Sequence, residues 1–258
     1  MTFTQLHQQN KPLLLANVWD VTSALAARNS GYQAIGTSSA AIAAMLGYDD
    51  GEGIPFDELL YIVSRIVTAC DLPLSVDIEA GYGESAGEIV SHLRRLAALG
   101  VVGVNIEDSR VVGGVRQLDD ATRFARRLAA IRQALDEEGC PLFLNIRTDT
   151  YLLNHAQPLQ ETLERGRLYD AAGADGLFVP CLTSEHDITA IAAALTLPLN
   201  VMGMPGLPDF ATLENAGVKR ISMGNAVHSA LHARLEKMML NILAQQSFEG
   251  VFADESAR

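Results

Sequence analysis

Two markers of strand onset alternate along this chain from end to end, and together they restrict the fold more than any other feature. The first is a proline ahead of an apolar run: Pro12 before Leu13-Leu14-Leu15, Pro73 before Leu74-Ser75-Val76, Pro141 before Leu142-Phe143-Leu144, and Pro198 before Leu199-Asn200-Val201. The second is a glycine shortly before a strand: Gly31 before Ala34-Ile35, Gly100 before Gly103-Val104-Asn105-Ile106, Gly173 before Gly176-Leu177-Phe178-Val179, and Gly217 before Arg220-Ile221-Ser222-Met223. Glycine accepts the left-handed backbone that follows a helix and proline cannot prolong one, so each marker closes a helix and opens a strand. Between the onsets lie stretches of helical period, such as 88–99, 122–135 and 159–172. Short apolar strands alternating with amphipathic helices pair in parallel, and eight evenly spaced units close most naturally into one (β/α)8 TIM-type barrel. An open doubly wound sheet is the competing arrangement.

A length of 258 residues suits such a barrel as one domain, 1–258. Hydrophobic residues at 48% against 19% charged supply a large core. The formal net charge of -12 repels phosphates, which argues against nucleic acid and anionic membrane as partners. An anionic substrate therefore needs a local cation, from a metal or an arginine. Cys70, Cys140 and Cys181 are far apart and lack metal-ligand spacing, which suits a cytoplasmic protein in a reducing compartment. The sequence shows no basic-then-apolar leader and no long apolar run, so neither secretion nor a membrane span is expected.

The last helix is expected at 226–245, with a flexible tail over 246–258. It is longer than one barrel helix needs and carries Met238-Met239. Two readings stand: a cover for the barrel base, or a helix that packs on or swaps with a neighbouring subunit.

Chemistry in such barrels gathers at the C-terminal ends of the strands, and the polar residues collect there. The ends read Asn17-Val18-Trp19-Asp20, Gly36-Thr37-Ser38-Ser39, Asp77-Ile78-Glu79, Asn105-Ile106-Glu107-Asp108 and Asn145-Ile146-Arg147-Thr148-Asp149, with Asn200 on the seventh strand. Asp77 and Glu79 are two apart and share a face of their strand, beside Glu107 on the next. Three acids so placed repel one another unless neutralised, and a hard dication such as Mg²⁺ does this. The alternative is ion pairing with Arg147 or capping of the following helices. Arg147 suits a substrate carboxylate through paired hydrogen bonds, or else a structural pair with Asp149 or Glu107. The turn at Thr37-Ser38-Ser39-Ala40 either offers donors to an anionic substrate or caps a helix.

At these residues the chain resembles the isocitrate lyase and phosphoenolpyruvate mutase superfamily, from about Leu13 to Met239. The resemblance is carried by Leu46-Gly47-Tyr48-Asp49-Asp50-Gly51-Glu52, Val76-Asp77-Ile78-Glu79-Ala80-Gly81-Tyr82-Gly83, Val104-Asn105-Ile106-Glu107-Asp108 and Asn145-Ile146-Arg147-Thr148-Asp149. It implies a Mg²⁺ site, with Mn²⁺ as a substitute, at which a small 2-oxo or dicarboxylic acid binds. Asp77 and Glu79 are then at the metal, directly or through water, and Glu107 holds metal-bound water. Asp50 stands near metal and substrate, and Asp50, Glu107 and Arg147 are the catalytic candidates. Ser38, Ser39 and Arg147 hold the substrate carboxylate, with Asn200 a further substrate-binding candidate. A homodimer or homotetramer is implied as well.

The chain also departs from the lyases of that superfamily. Their Lys-Lys/Arg-Cys-Gly-His loop after the fourth strand is replaced by Ser109-Arg110-Val111-Val112-Gly113-Gly114-Val115-Arg116-Gln117, with no cysteine, lysine or histidine. This weighs against true isocitrate or 2-methylisocitrate lyase activity, and so short a loop is expected to seal the site poorly. Cys181 reads as an inert thiol; His228 either reaches the site or faces solvent. Lys11, Lys219 and Lys237 are the only lysines and none ends a strand, which disfavours Schiff-base chemistry. A phosphate-binding barrel using Gly203, Gly206 and Gly224 leaves the acids unexplained. The expected function is a Mg²⁺-dependent lyase acting on a 2-oxo acid, cleaving a carbon-carbon bond in the manner of oxaloacetate decarboxylase or 2-methylisocitrate lyase. The alternatives are carbon-phosphorus chemistry, as in phosphoenolpyruvate mutase or phosphonopyruvate hydrolase, and a catalytically weak 2-oxo acid binding protein.

Overall fold

The computed structural model describes residues 1–252, in two compact units that meet in sequence at Gly224 and Asn225. The first unit opens with α1 (Phe3–Leu6), β1 (Leu13–Val18), α2 (Val21–Asn29), β2 (Ile35–Thr37), α3 (Ser39–Leu46), α4 (Phe56–Ala69) and β3 (Leu74–Asp77). It continues with α5 (Ala86–Ala98), β4 (Gly103–Glu107), β5 (Ser109–Val112), β6 (Val115–Leu118), α6 (Ala121–Glu137) and β7 (Phe143–Arg147). The remaining elements are α7 (Pro158–Ala171), β8 (Gly176–Phe178), α8 (Glu185–Ala194), β9 (Leu199–Met202), α9 (Phe210–Asn215) and β10 (Arg220–Ser222). Eight parallel strands close in the order β1-β10-β9-β8-β7-β4-β3-β2. All eight onsets read from the prolines and glycines begin barrel strands, and the open sheet is excluded.

Local chemistry places the helix starts. Asp20, Ser38, Ser85, Asp120, Ser184 and Asp209 each accept a backbone N–H of the first turn that they cap. At α5 the cap is reciprocal, because Glu88 also returns to the Ser85 backbone. The outward residues of the strands, among them Val76, Val104, Leu144, Ile146, Leu177 and Val201, form the main core with the helices. The alternate residues face the barrel axis, where the Asn145 amide donates to Asn105 Oδ1 at 2.9 Å and Asn200 Oδ1 at 3.0 Å. At the N-terminal mouth Phe3, Leu6, Leu13, Leu15, Ala34 and Phe143 make a separate apolar cluster. His7 stacks on Phe143 at 4.3 Å between ring centroids.

One element departs from the simple repeat. Where a short open loop is expected after the fourth strand, β5 and β6 pair as an antiparallel hairpin. Gly113 and Gly114 both have positive φ, 59° and 80°, as a two-residue turn between right-twisted strands requires. The hairpin base is held where Asp119 N–H donates to the Asp108 carbonyl at 2.7 Å.

The second unit contains α10 (Ala226–Gln245), with the predicted bounds, and α11 (Glu249–Phe252). The expected tail thus begins with a helical turn, and residues 253–258 lie outside the described residues. Along α10, Leu231, Leu235, Met239, Leu240 and Leu243 are exposed. The ring of the buried His228 lies 4.3 Å from that of His232. Among the described residues no helix is long and apolar enough to cross a membrane.

Candidate active site

Register places the acids side by side. Asp77 pairs with Asn105 in the β3–β4 ladder, and Glu107 pairs with Arg147 in the β4–β7 ladder. Asp77 is oriented by its neighbours on β2 and α3: its N–H donates to Thr37 Oγ1 at 2.8 Å, and its Oδ2 accepts from Ser39 Oγ at 2.9 Å. Glu79 follows in a left-handed conformation, φ 51°, and is buried. It accepts from the Glu52 backbone N–H and from Tyr82 Oη at 3.3 Å, while Glu52 in turn accepts from Tyr82 N–H at 2.7 Å. Glu52 and Tyr82 also carry positive φ, 60° and 58°. Three linked non-glycine residues in this region are a concentration of backbone strain that surrounding structure must hold in place.

Among the described residues neither Asp77 nor Glu79 touches a cationic side chain, and burial raises both above the ordinary carboxylate range. For Asp77 burial outweighs the opposing pull of Arg147 and Ser39. Glu79 is pushed up to about 8, by burial first and then by the charges of Asp77, Asp50 and Glu107. Such a pair of acids fits a hard dication, whose charge relieves both terms.

Glu107 is held differently. Arg147 Nη1 lies 2.9 Å from Oε2, and Arg116 of β6 contacts Oε1. Burial still raises Glu107, because the two guanidiniums are set against Asp149 and Asp77. Arg147 is itself committed: Nε and Nη2 donate to the Asp149 carboxylate at 2.6 and 3.1 Å. Burial alone would lower its pKa, but Glu107 and Asp149 keep it raised, so it stays charged. Both structural pairs foreseen for Arg147 are therefore present, and they leave it facing the mouth as a fixed cation.

The other expected site residues divide. Asp50, half exposed on the loop after α3, meets Arg116 Nη2 at 3.5 Å. Ser39 serves Asp77, whereas Ser38 caps α3 by accepting from Ala41 N–H at 3.3 Å. Asn200 is buried inside the barrel with its amide spent on the Val201 carbonyl at 2.8 Å and Ser222 Oγ at 3.1 Å. Burial raises the Cys181 thiol, which favours the protonated form. Gly51, Glu52, Glu79, Ala80, Glu84, Glu107, Arg110, Val111 and Val112 line a cavity of about 140 Å³. Among the described residues no three His, Cys, Asp or Glu side chains stand as a ready ligand set. Glu107 and Asp50 both meet Arg116 instead, and Glu107 meets Arg147 as well.

Arg116, Glu52, Tyr82 and Ser109 were not foreseen. Arg116 had a signal in the alternation around Gly113-Gly114, which puts it opposite Val111 across the hairpin. The contacts of Glu52 and Tyr82 depend on left-handed backbone at non-glycine residues, which sequence does not announce.

A closed barrel whose β3, β4 and β7 ends gather acids against an arginine defines a class, and comparison with known proteins identifies it. Residues 3–243 match the family described as phosphoenolpyruvate phosphomutase, and the chain belongs to this family within the isocitrate lyase and phosphoenolpyruvate mutase superfamily. Two curated relatives are 2-methylisocitrate lyase of Escherichia coli, 30% identical over 92% of this chain and 82% of that protein, and oxaloacetate decarboxylase of Rhodopseudomonas palustris, 31% identical over 93% and 84%. A solved Burkholderia cenocepacia protein, provisionally named a phosphonomutase, is 40% identical over 92% of this chain and 97% of that one, with a TM-score of 0.86. Phosphonopyruvate hydrolase, solved with oxalate and Mg²⁺, shares the fold at 19% identity over 98% and 91%, with a TM-score of 0.85.

Proposed function

We propose that this chain is a Mg²⁺-dependent lyase that cleaves the carbon-carbon bond beside the carbonyl of a small 2-oxo acid. One observation carries the reading: the half-buried Asp77 and the buried Glu79 stand together without a cationic contact among the described residues, across the strand ends from a permanently charged Arg147. Asp77 and Glu79 would hold the ion, with Glu107 and Asp50 beside it. Bound there, Mg²⁺ supplies Lewis acidity to the oxygen on which charge develops as the bond breaks.

The chain's own groups do the rest. Ser39 fixes the Asp77 carboxylate and Thr37 holds its backbone N–H, and Arg147 attracts the substrate carboxylate without needing to move. Arg110 and Arg116 of the hairpin are no acids near neutral pH, so the proton that quenches the carbanionic product comes from water. Water suffices after loss of CO₂, which favours oxaloacetate-like acids over substrates whose leaving fragment needs a side-chain acid. The exposed apolar residues of α10 support assembly of copies of the chain.

The 40% identity to a protein named as a phosphonomutase favours carbon-phosphorus chemistry as the second reading. Purified protein with oxaloacetate, 2-methylisocitrate and phosphonopyruvate, each with Mg²⁺ and with EDTA, separates them. We expect Mg²⁺-dependent pyruvate release, fastest from oxaloacetate. Faster phosphate release from phosphonopyruvate would replace the first reading by the second, and saturable 2-oxo acid binding without product would make the chain a binding protein.

A further inference from the structure

Arg116 holds more of the site's negative charge than any other movable group. Its Nη1 contacts Glu107 Oε1, donates to Ser109 Oγ at 3.0 Å and lies 3.6 Å from Asp149 Oδ2, while Nη2 lies 3.5 Å from Asp50 Oδ2. Glu107 thus carries two guanidiniums, whereas Asp77 and Glu79 beside it touch none. The two arginines differ in freedom. Arg147 is part of a barrel strand and is gripped by two hydrogen bonds that it donates to Asp149. Arg116 stands on a two-stranded hairpin whose Val111, Val112 and Val115 are 40%, 60% and 58% exposed. The tip also rests on the Asp50 loop: a Cβ on Gly51, at φ 108°, would come within 2.6 Å of Val111 Cγ2.

We propose that Arg116 is an internal counter-ion that competes with the dication for Glu107 and Asp50, so that metal binding releases the hairpin and metal loss parks it again. The inference rests on the reading of Asp77 and Glu79 as the carboxylates that hold the ion. An ion seated there raises the positive potential around Glu107, and of the two guanidiniums already present only Arg116 can leave. Parking costs little in the metal-free chain, because the salt bridge replaces the missing charge at two buried or half-buried acids. It explains why no ready ligand set exists although the acids are present: the set is completed when Arg116 departs. Glu107 and Asp50 then turn to the ion, and the hairpin swings from the mouth to admit substrate.

Two measurements on the full chain test this. Mn²⁺ titration followed by water-proton relaxation compares wild type with Arg116→Gln and Arg116→Lys. We expect Arg116→Gln to bind Mn²⁺ at least about threefold tighter, with Arg116→Lys nearer to wild type. Equal or weaker binding in a folded Arg116→Gln protein overturns the inference while leaving the proposed function standing; failure of both wild type and Arg116→Gln to bind removes both. The second needs no variant. Trypsin must draw the Arg116 side chain into its own pocket, so cleavage between Arg116 and Gln117, read by mass spectrometry, reports parking. Mg²⁺ should speed this cut at least about threefold relative to other tryptic sites of the same chain. Unchanged or slower cutting there refutes release.

Discussion

The two mouths of the barrel solve opposite problems with the same strands. At the N-terminal mouth Phe3, Leu6, Leu13, Leu15, Ala34 and Phe143 exclude water, and the one polar ring among them, His7, is spent on Phe143 and on the Phe3 carbonyl at 2.9 Å. At the C-terminal mouth the half-buried Asp77 and the buried Glu79 are raised by desolvation that their partners do not repay, while Arg116 is spent on Glu107 and Asp50. The first mouth stabilises the fold; the second stores unfavourable electrostatics that a ligand can relieve. Between them lies a polar belt of Asn105, Asn145 and Asn200, with Arg220 buried at its edge and lowered to about 9 by that burial. Their difference is what substitutions should reveal.

The sharpest way to break the contrast is Phe143→Ala, which leaves a cavity under α1 and costs about 3–5 kcal/mol of stability. Denaturant unfolding should show this loss, while Mn²⁺ affinity of the remaining folded protein stays at the wild-type value. Asp77→Asn should do the reverse, lowering Mg²⁺-dependent turnover about 10²–10³-fold with thermal stability kept or improved, since a buried charge is removed. A smaller effect comes from His7, which burial first, and Arg220 second, lower to about 3 from 6.5. The unfolded chain takes up the proton near pH 6.5 and the folded chain does not. His7 therefore contributes nothing above pH 6.5 and weakens the fold progressively as pH falls towards 3. Stability should drop by about 1.5 kcal/mol from this residue alone between pH 6.5 and 5, and His7→Gln should flatten that limb of the curve. The smallest effect is expected of Tyr82→Phe, which removes one 3.3 Å hydrogen bond to Glu79 and should change Mn²⁺ affinity by less than about fivefold.

The barrel was legible because its punctuation is local. Proline and glycine act on the backbone at the position where they stand, so all eight onsets and the limits of α10 followed from short stretches of sequence. The acids were legible as types at the strand ends, but strand periodicity does not place Glu79: β3 ends at Asp77, and a left-handed backbone at φ 51° sets Glu79 beside it. What escaped depends on groups distant in the chain. The belt contacts of Asn200 are set by Asn145 and Ser222, and the capping contact of Ser38 by the turn it enters. The hairpin was hidden by brevity. Val111-Val112 and Val115-Arg116 are too short to signal strands alone, and only the two glycines between them reveal a reversal.

The Asp119–Asp108 hydrogen bond that closes the hairpin base has a consequence for how such a protein changes over time. Because the hairpin is closed on the end of β4, residues inserted at Gly113-Gly114 extend a turn beside the mouth and leave the barrel strands unbroken. New acids, bases or phosphate-binding groups can be tried at that tip one after another while the scaffold and its charged floor remain untouched. The bend is a socket at which groups facing the mouth can be exchanged without rebuilding the strands beneath it.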